Sequence, residues 1–215
     1  ERQRVAISLE KTMERDDLFL VGHGEEYMAI QFGLFAAEDI TAADGTFIPV
    51  DGLLETISLE VPADWTAEEI NAALPLFGKF LADVPFGAYY VQELASDGQY
   101  ILNDTKFPVV FEYAGQDIAI VEISVNEGQP IENKIIRGDI KGIKVGEEGQ
   151  GLEGAVIGLF RPDDTERTLE SALMVTTSAE DGSFQFEGIP FGHWVVAEIA
   201  PPAMHKLSNE LHHIY

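Results

Sequence analysis

One segment of this chain occurs twice, and this internal repeat limits the possible folds more than any other feature. Residues 84–95 (VPFGAYYVQELA) return as residues 189–200 (IPFGHWVVAEIA), with proline, glycine and glutamate positions in the same order. The offset between the copies is constant at 105 (189 − 84 and 198 − 93). Repetition at a fixed offset indicates that one structural unit is present in two copies.

Two shorter repeated segments show that the copies differ in length. Residues 32–35 match residues 157–160 at an offset of 125 (157 − 32), and residues 7–11 match residues 140–144 at an offset of 133 (140 − 7). Because the offset falls along the chain, the first copy must carry extra residues, mostly within residues 39–76.

Most of the chain has the pattern of short β-strands separated by turns. Val5, Ile7 and Leu9 alternate with polar neighbours, which is typical of a half-buried strand. Five further segments have comparable patterns: residues 27–35, 57–59, 89–94, 107–113 and 118–125. Turn dipeptides of the Asp-Gly or Glu-Gly type begin at these residues: Asp44, Asp51, Asp97, Glu127 and Asp181. This pattern predicts an all-β sandwich or barrel.

The repeat and the strand pattern together predict two tandem domains of one all-β fold. We expect the first domain to span residues 1–136, with an insert near residues 61–77. The second then spans residues 137–215, and the junction falls near residues 135–138.

Two segments favour a helix. Residues 65–74 contain Thr66 three positions before Glu69, the spacing of a capping box, and Pro75 would end the helix. Residues 165–173 have a weaker helical pattern. We expect both helices to lie in loops of the β-domains.

The charge balance excludes several classes of partner. The chain has 38 acidic and 13 basic residues, a formal net charge of −25. A surface this negative repels nucleic-acid phosphates and anionic lipids, so we expect no nucleic-acid partner. No stretch approaches the roughly 18 apolar residues of a membrane helix, so we expect no membrane insertion. Residues 1–4 are not followed by an apolar region, so any export signal would lie outside this sequence.

The residues that bind metals or perform common catalysis are mostly missing or wrongly spaced. The chain has no cysteine, which excludes disulfides, thiolate metal sites and thiol nucleophiles. His205, His212 and His213 lack a carboxylate spaced to complete a metal site. There is no calcium-loop, phosphate-loop, dinucleotide or Gly-x-Ser-x-Gly motif. We therefore expect no metal, no cofactor and no multiple-turnover enzyme.

Each copy places a lysine and a glutamate on the apolar face of its strands. Lys11 and Glu93 share the parity of their apolar neighbours in the first copy. Lys144 and Glu198 do so in the second, although Gly142 interrupts the pattern. Charges are costly in such positions unless they are paired or neutralised. Burial lowers the pKa of a lysine and raises that of a glutamate.

Such a pair has two interpretations, which the spacing leaves open. It could be a buried salt bridge, or a strand end where both groups reach water. Alternatively, a neutral lysine amine could attack a nearby asparagine carboxamide while a protonated glutamate shuttles protons and polarises the carbonyl. The candidate asparagine in the first copy is Asn133, within residues 130–134.

The second copy contains an ordered set of motifs. Lys144 follows a first strand, and four segments come after it: residues 154–160, 181–186, 189–198 and 200–202. The first copy shares four features: Lys11 and residues 32–35, 84–94 and 131–134. The ordered set resembles the Cna B-type, or SpaA-like, prealbumin-like domain of Gram-positive adhesins and pilins. The first copy departs from that family around residues 65–74, where the family has a short hairpin.

The resemblance implies two tandem immunoglobulin-like (transthyretin/prealbumin-like) β-sandwiches, the first with a short helical insert. Such domains are often locked by a self-made Lys–Asn isopeptide bond with the glutamate as catalyst. Carried over to this chain, Lys11, Glu93 and Asn133 would form one site. Lys144 and Glu198 would begin a second, whose partner asparagine would lie beyond residue 215. The second domain would then be C-terminally truncated, with an open sheet edge.

The expected function is therefore a structural stalk or adhesion module of a Gram-positive cell-surface protein. The resemblance implies an extracellular, cell-wall-anchored location, with the anchor outside these residues, and neighbouring repeats of the same protein as partners. Two alternatives stay open: an adhesin domain that binds a host protein or glycan, and an accessory module of a secreted enzyme. The insert contains three residues that could form a recognition surface or pack onto the sandwich: Trp65, Leu74 and Phe77.

Overall fold

The computed structural model describes residues 3–215 and divides them into two compact units. The first unit comprises the described residues up to Asp16 together with Gly22–Ile135, and the second comprises Asp17–Val21 and Ile136–Tyr215. Both units consist mainly of β-strands, and the described residues contain one short α-helix. The predicted all-β fold is confirmed.

The described residues of the first unit form ten strands. They are β1 (Arg4–Met13), β2 (Gln31–Ala36), β3 (Ile40–Thr41), β4 (Phe47–Ile48), β5 (Leu53–Ser58), β6 (Leu76–Phe80), β7 (Gly87–Ala95), β8 (Phe107–Phe111), β9 (Ile120–Ser124) and β10 (Ile131–Asn133). In one sheet, β1 pairs with β6 in antiparallel orientation and with β9 and β10 in parallel orientation. The other sheet has the order β5-β2-β7-β8, and β3 and β4 form a small hairpin.

The core of the first unit lies between its two sheets. The alternating apolar residues of β1 are buried, as their period of two predicts. The opposite sheet contributes buried side chains from β2, β7 and β8: Phe32, Leu34, Val91, Val109 and Phe111. Both faces therefore supply apolar surface, which is the arrangement of a β-sandwich.

The insert of the first unit contains helix α1 (Ala67–Ala72), between β5 and β6. Its N-cap is Thr66, whose hydroxyl accepts a hydrogen bond from the Glu69 backbone, while the Glu69 carboxylate accepts one from the Thr66 backbone. The predicted capping box is confirmed. Ile70 faces inward and is buried, so one side of the helix packs onto its own domain.

Two sequence predictions of local structure are wrong. Residues 165–173 form turns rather than a helix, because the Asp164 carboxylate accepts hydrogen bonds from the backbone of Glu166 and Arg167. Arg167 also has a φ of 50°, which no α-helix accommodates. The strand expected from residue 27 starts later, because Glu25–Ala29 form a 3-10 turn before β2.

The second unit repeats the same plan with fewer strands. They are β11 (Arg137–Ile143), β12 (Val156–Phe160), β13 (Met174–Thr177), β14 (Ser183–Pro190), β15 (Trp194–Ala200) and β16 (Leu211–Ile214). One sheet contains only β11 and β14, and the other has the order β13-β12-β15-β16. Within the described residues, no strand pairs with the second edge of β11.

The repeated Phe/Ile-Gly-Leu-Phe motif has the same packing in both units. A Cβ atom on Gly33 would lie 2.7 Å from the ring of Phe35, and one on Gly158 would lie 2.5 Å from the ring of Phe160. The phenylalanine ring therefore covers the glycine two residues before it. Any larger residue at the glycine position would displace that ring.

The repeated Pro-Phe-Gly segment also has a shared hydrogen bond. The Tyr89 hydroxyl donates to the Pro85 carbonyl at 2.6 Å, and the Trp194 indole N–H donates to the Pro190 carbonyl at 2.8 Å. In each unit an aromatic side chain at the start of a central strand thus ties the preceding loop to the sandwich.

Candidate functional site

Lys11, Glu93 and Asn133 meet in the interior of the first unit. Lys11 lies on β1 and Asn133 on the adjacent parallel strand β10, whereas Glu93 lies on β7 of the opposite sheet. Their relative exposures are 0%, 2% and 1%. Three polar residues from both sheets are therefore enclosed in the apolar layer between them.

The three side chains form a direct hydrogen-bonded network. The Lys11 Nζ donates to Asn133 Oδ1 at 2.8 Å and lies 3.6 Å from Glu93 Oε1. The Asn133 Nδ2 donates to Glu93 Oε1 at 3.0 Å and to Oε2 at 2.8 Å. The carboxamide is thus held between the amine on its oxygen side and the carboxylate on its nitrogen side.

Burial changes the acidity of the lysine. Desolvation lowers the pKa of Lys11 from 10.5 to about 8, although the negative charges of Glu93 and Glu132 act in the opposite direction. The Lys11 Nζ also donates to the backbone carbonyls of Thr12 and Ile131, each at 3.0 Å. An amine with this pKa is neutral, and therefore nucleophilic, in a substantial fraction of molecules near neutral pH.

Two further groups position the network, and neither was predicted from the sequence. The Ser96 hydroxyl accepts a hydrogen bond from Asn133 Nδ2 at 2.9 Å, and the Asn103 backbone N–H donates to Glu93 Oε2 at 2.8 Å. Ser96 follows the repeated segment, and the residue at the same offset in the second copy is Pro201. This difference between the two copies is the only feature of the sequence that could have pointed to a special role for Ser96.

The arrangement is chemically suited to condensing an amine with a carboxamide. The nucleophile contacts the acyl group that it would attack, and the carboxylate contacts the nitrogen that would leave. Because Glu93 contacts Nδ2 rather than Oδ1, the geometry favours the proton-shuttle part of its predicted role over polarisation of the carbonyl.

The second unit brings together Lys144 and Glu198. The Lys144 Nζ lies 3.3 Å from Glu198 Oε2, and the two side chains are 18% and 3% exposed. The Ser208 backbone N–H also donates to Oε2, at 2.6 Å. Glu198 Oε1 is buried and has no hydrogen-bond partner among the described residues. Asn209 is exposed and bonds to neither side chain.

The three C-terminal histidines do not converge. His213 Nδ1 lies 2.9 Å from Nε2 of His193, His212 lies 3.9 Å from Glu210, and His205 contacts the backbone of its own turn. Within residues 3–215, no three His, Cys, Asp or Glu side chains are grouped in a way that could hold a metal ion.

The apolar residues of the insert differ in exposure. Trp65 and Leu74 are half-buried, whereas Phe77 on β6 is 49% exposed. In the part of the chain that the structure describes, no helix is both long and apolar enough to cross a membrane.

Comparison with protein families gave a match for the second unit. Residues 138–215 match the family described as SpaA, prealbumin-like fold domain. The resemblance drawn from the sequence, and the prealbumin-like sandwich that it implied, are confirmed. A comparison with curated proteins gave no match.

Two solved structures with a similar fold are those of the TIE protein and of a pilus adhesin. The Bacillus anthracis TIE protein is 14% identical with a TM-score of 0.60, and the match covers 100% of this chain and 31% of that chain. The C-terminal fragment of the pilus adhesin SpaC from Lactobacillus rhamnosus GG is 14% identical with a TM-score of 0.50, covering 99% of this chain and 82% of the other. At this identity the similarity concerns the fold. This chain spans about a third of the length of the TIE protein structure.

Proposed function

We propose that this chain is a structural stalk or adhesion module of a Gram-positive cell-surface protein, and that an isopeptide bond between Lys11 and Asn133 locks its first unit. The observation that supports the bond best is the enclosed network of an amine, a carboxamide and a carboxylate. A buried ion pair alone would need no carboxamide between the two charges. The reaction would occur once per molecule, so the chain is not a turnover enzyme.

The proposed reaction is an amide exchange in which the atoms balance. The neutral Lys11 amine attacks the Asn133 Cγ, and a C–N bond forms to give a tetrahedral intermediate. Glu93 takes a proton from the attacking nitrogen and delivers one to Nδ2. The bond between Cγ and Nδ2 then breaks, and one ammonia leaves. The dry site removes competing water, which would otherwise hydrolyse the intermediate.

The position of the bond suits a module that carries load. Lys11 lies on the first strand and Asn133 on the last strand of the first unit, 122 residues apart in sequence. A covalent link between them would pass tension directly from one end of the unit to the other. The strands between these residues would then carry no load, and the unit could not be pulled open from its ends.

Intact mass spectrometry of the purified chain tests the bond. We expect a mass lower than the sequence mass by one ammonia, and a proteolytic fragment in which the peptides of Lys11 and Asn133 are joined. Glu93→Ala should restore the sequence mass, while the matched variant Glu198→Ala in the second unit should retain the loss. An uncyclised wild-type mass would contradict the mechanism.

The extracellular, wall-anchored location and the neighbouring repeats are part of the same proposal. They are supported by the SpaA match of the second unit and by the fold that this chain shares with the C-terminal fragment of a pilus adhesin. A cross-link other than a disulfide also suits an exported module without cysteine. Surface labelling of cells that express the native gene, followed by detection of this segment in the wall fraction, tests the location.

A ligand-binding adhesin domain is the second candidate. It is favoured by the exposure of Phe77 and Leu81 at the β6 edge of the first unit. Large apolar side chains on an exposed edge are typical of interaction surfaces. Binding to immobilised host matrix proteins and glycans, compared between the wild type and Phe77→Ser, separates an adhesin from a spacer.

A further inference from the structure

We propose that Tyr100 and Glu14 are positioning residues for the reaction between Lys11 and Asn133. They hold the end of β10 against the end of β1, so that the Asn133 carboxamide stays within reach of the Lys11 amine. Their hydrogen bonds go to backbone groups, so they act through the strand ends. This inference rests on the isopeptide bond proposed for the first unit.

The reacting asparagine lies at the end of the strand pairing. The parallel ladder of β1 and β10 comprises three pairs: Lys11 with Ile131, Thr12 with Glu132, and Met13 with Asn133. Both strands end at the last of these pairs. Strand ends open more readily than strand centres. Contacts beyond the last pair therefore decide how long the lysine and the asparagine stay together.

Glu14, the residue after β1, binds the backbone at two points beyond the last pair. Its N–H donates to the Asn133 carbonyl at 2.8 Å, and its carboxylate oxygen Oε2 accepts from the Ile135 N–H at 2.9 Å. The first bond continues the ladder by one step, and the second uses a side chain where the ladder has ended. A single residue therefore holds the chain immediately after the reacting asparagine.

Tyr100 connects both strand ends to the loop between β7 and β8. Its hydroxyl donates to the Glu14 carbonyl at 2.9 Å, and its backbone forms an antiparallel bridge with Ile135. Glu93 lies on β7, shortly before this loop. The loop therefore ties the segment that carries the carboxamide to the strand that carries the carboxylate.

The hydrogen bond between Tyr100 and Glu14 lies in a closely packed place. Tyr100 is 4% exposed, and burial raises the pKa of its hydroxyl, so the hydroxyl remains a donor near neutral pH. A Cβ atom on Gly22 would lie 2.8 Å from the Tyr100 hydroxyl and 2.7 Å from the Glu14 carbonyl oxygen. A side chain at position 22 would therefore push the two groups apart.

The corresponding positions of the second unit have other surroundings. At the offsets of the repeat they are His205 (205 − 100 = 105) and Glu147 (147 − 14 = 133). Both are exposed; Glu147 lies in a turn, and His205 contacts the Ala203 carbonyl of its own turn. Within residues 3–215, the contacts of Tyr100 and Glu14 thus occur in the unit that brings a lysine, a glutamate and an asparagine together.

Time-resolved intact mass after cell-free synthesis tests the role of Tyr100. Attack requires the amine and the carboxamide to be held in one orientation, and a looser strand end spends less time in it. We expect Tyr100→Phe to lose ammonia about fivefold more slowly, the factor that corresponds to one net hydrogen bond. The matched control is Tyr89→Phe, which removes the hydrogen bond to Pro85 and should react at the wild-type rate. Equal slowing in both variants would show that the rate follows stability alone and would overturn the proposal.

Two substitutions of Glu14 test its hydrogen bond. Glu14→Ala removes the acceptor for the Ile135 N–H, whereas Glu14→Gln retains an oxygen that can accept it. We expect about fivefold slower loss of ammonia with alanine and a rate near that of the wild type with glutamine. Equal slowing by both substitutions would assign the effect to the charge of Glu14 and would contradict a positioning role.

The pH dependence separates positioning from the entry of water. Burial sets the pKa of Lys11 at about 8, and neither proposed contact involves its amine. Tyr100→Phe should therefore lower the rate by the same factor at every pH and leave the midpoint of the profile near pH 8. A midpoint that moves towards 10.5, the ordinary value for lysine, would show that the variant exposes the amine, and the positioning role would be wrong.

Hydrogen exchange tests the contacts without the reaction. In a Glu93→Gln background, which should not form the bond, adding Glu14→Ala should speed exchange of the Ile135 N–H about tenfold, because a bond to a charged acceptor is lost. A wild-type chain that loses no ammonia would overturn the proposed isopeptide bond. Normal loss in the wild type with unchanged rates in Tyr100→Phe and Glu14→Ala would overturn the positioning role alone, so the two failures are distinguishable.

Discussion

The two units share a strand plan but differ in how the edge of their first strand is completed. In the first unit β9 and β10 cover that edge, and Lys11 is fully buried. In the second unit no strand of residues 3–215 pairs with that edge, and the Lys144 side chain is 18% exposed. Both units have the lysine and the glutamate, so the closing strand decides whether the amine is enclosed.

This difference shows what the closing strand contributes to the chemistry. It supplies the Asn133 carboxamide, and its backbone carbonyl at Ile131 accepts a hydrogen bond from the lysine. It also removes water from the amine, which lowers the pKa of Lys11 to about 8. The Lys144–Glu198 pair provides an amine and a carboxylate. It lacks the carboxamide and the exclusion of water that the closing strand provides in the first unit.

The largest expected effect is the loss of the cross-link in the first unit. Glu93→Gln should remove the bond and lower the free energy of unfolding of that unit by about 5 kcal/mol, the loop-entropy value for a closed loop of this size. The chain has two tryptophans, and each unit contains one of them. Guanidinium unfolding followed by Trp65 emission in a Trp194→Phe background measures the first unit alone.

The matched variant in the second unit is Glu198→Gln, followed by Trp194 emission in a Trp65→Phe background. We expect a change of less than about 1 kcal/mol, because glutamine still accepts from the Ser208 backbone, the buried oxygen that lacks a donor is removed, and the lost ion pair involves a partly exposed lysine. Equal destabilisation of both units would mean that the glutamates act only as structural ion pairs.

The sequence predicted the parts of the site that depend on strand period and on motif order. The period of two placed Lys11 and Glu93 on the apolar face, and Asn133 was the candidate asparagine in the first copy before the family resemblance was considered. It could not predict the Asn103 donor, because every residue has a backbone N–H and only the folded loop directs it. The turn dipeptide at Glu127 did predict the interruption between β9 and β10, but not that Asn126 and Glu127 both adopt left-handed conformations, with φ of 56° and 55°.

The sequence also could not predict contacts between residues that are far apart in the chain. Residues Asp17–Val21 group with the second unit although most of the first unit follows them in sequence. Phe19 packs edge-on against Trp194, with ring centroids 4.9 Å apart. No local pattern around residue 19 indicates a partner so distant in the chain.

The second-largest effect should come from Ser96, which has no counterpart in the second unit. Ser96→Ala removes an acceptor for Asn133 Nδ2 and frees the carboxamide to rotate. A net hydrogen bond of about 1 kcal/mol corresponds to a roughly fivefold slower loss of ammonia. Time-resolved intact mass after cell-free synthesis measures this rate, and Ser208→Ala in the second unit should leave it unchanged. An unchanged rate in Ser96→Ala would mean that Glu93 alone orients the amide.

An effect of comparable size is expected from pH. Only the neutral Lys11 amine attacks, and with a pKa of about 8 its neutral fraction rises about fivefold from pH 7 to pH 8. Ammonia loss from the wild type should accelerate by this factor and level off above about pH 9. Glu93→Gln should lose no ammonia at any of these pH values. A rate that falls as pH rises would show that deprotonation of Lys11 does not limit the reaction.

The smallest effect concerns the hydrogen bond that the two units share. Tyr89→Phe removes the donor to the Pro85 carbonyl, and we expect the first unit to lose about 1 kcal/mol of stability by Trp65 emission. Tyr113→Phe, at an exposed position, should change stability by less than about 0.5 kcal/mol. Trp194 makes the same hydrogen bond to Pro190 with a different side chain. A loss of stability in Tyr89→Phe would therefore mean that the two units share the hydrogen bond and not the residue type. A neutral Tyr89→Phe would instead assign the repeated aromatic position to packing alone.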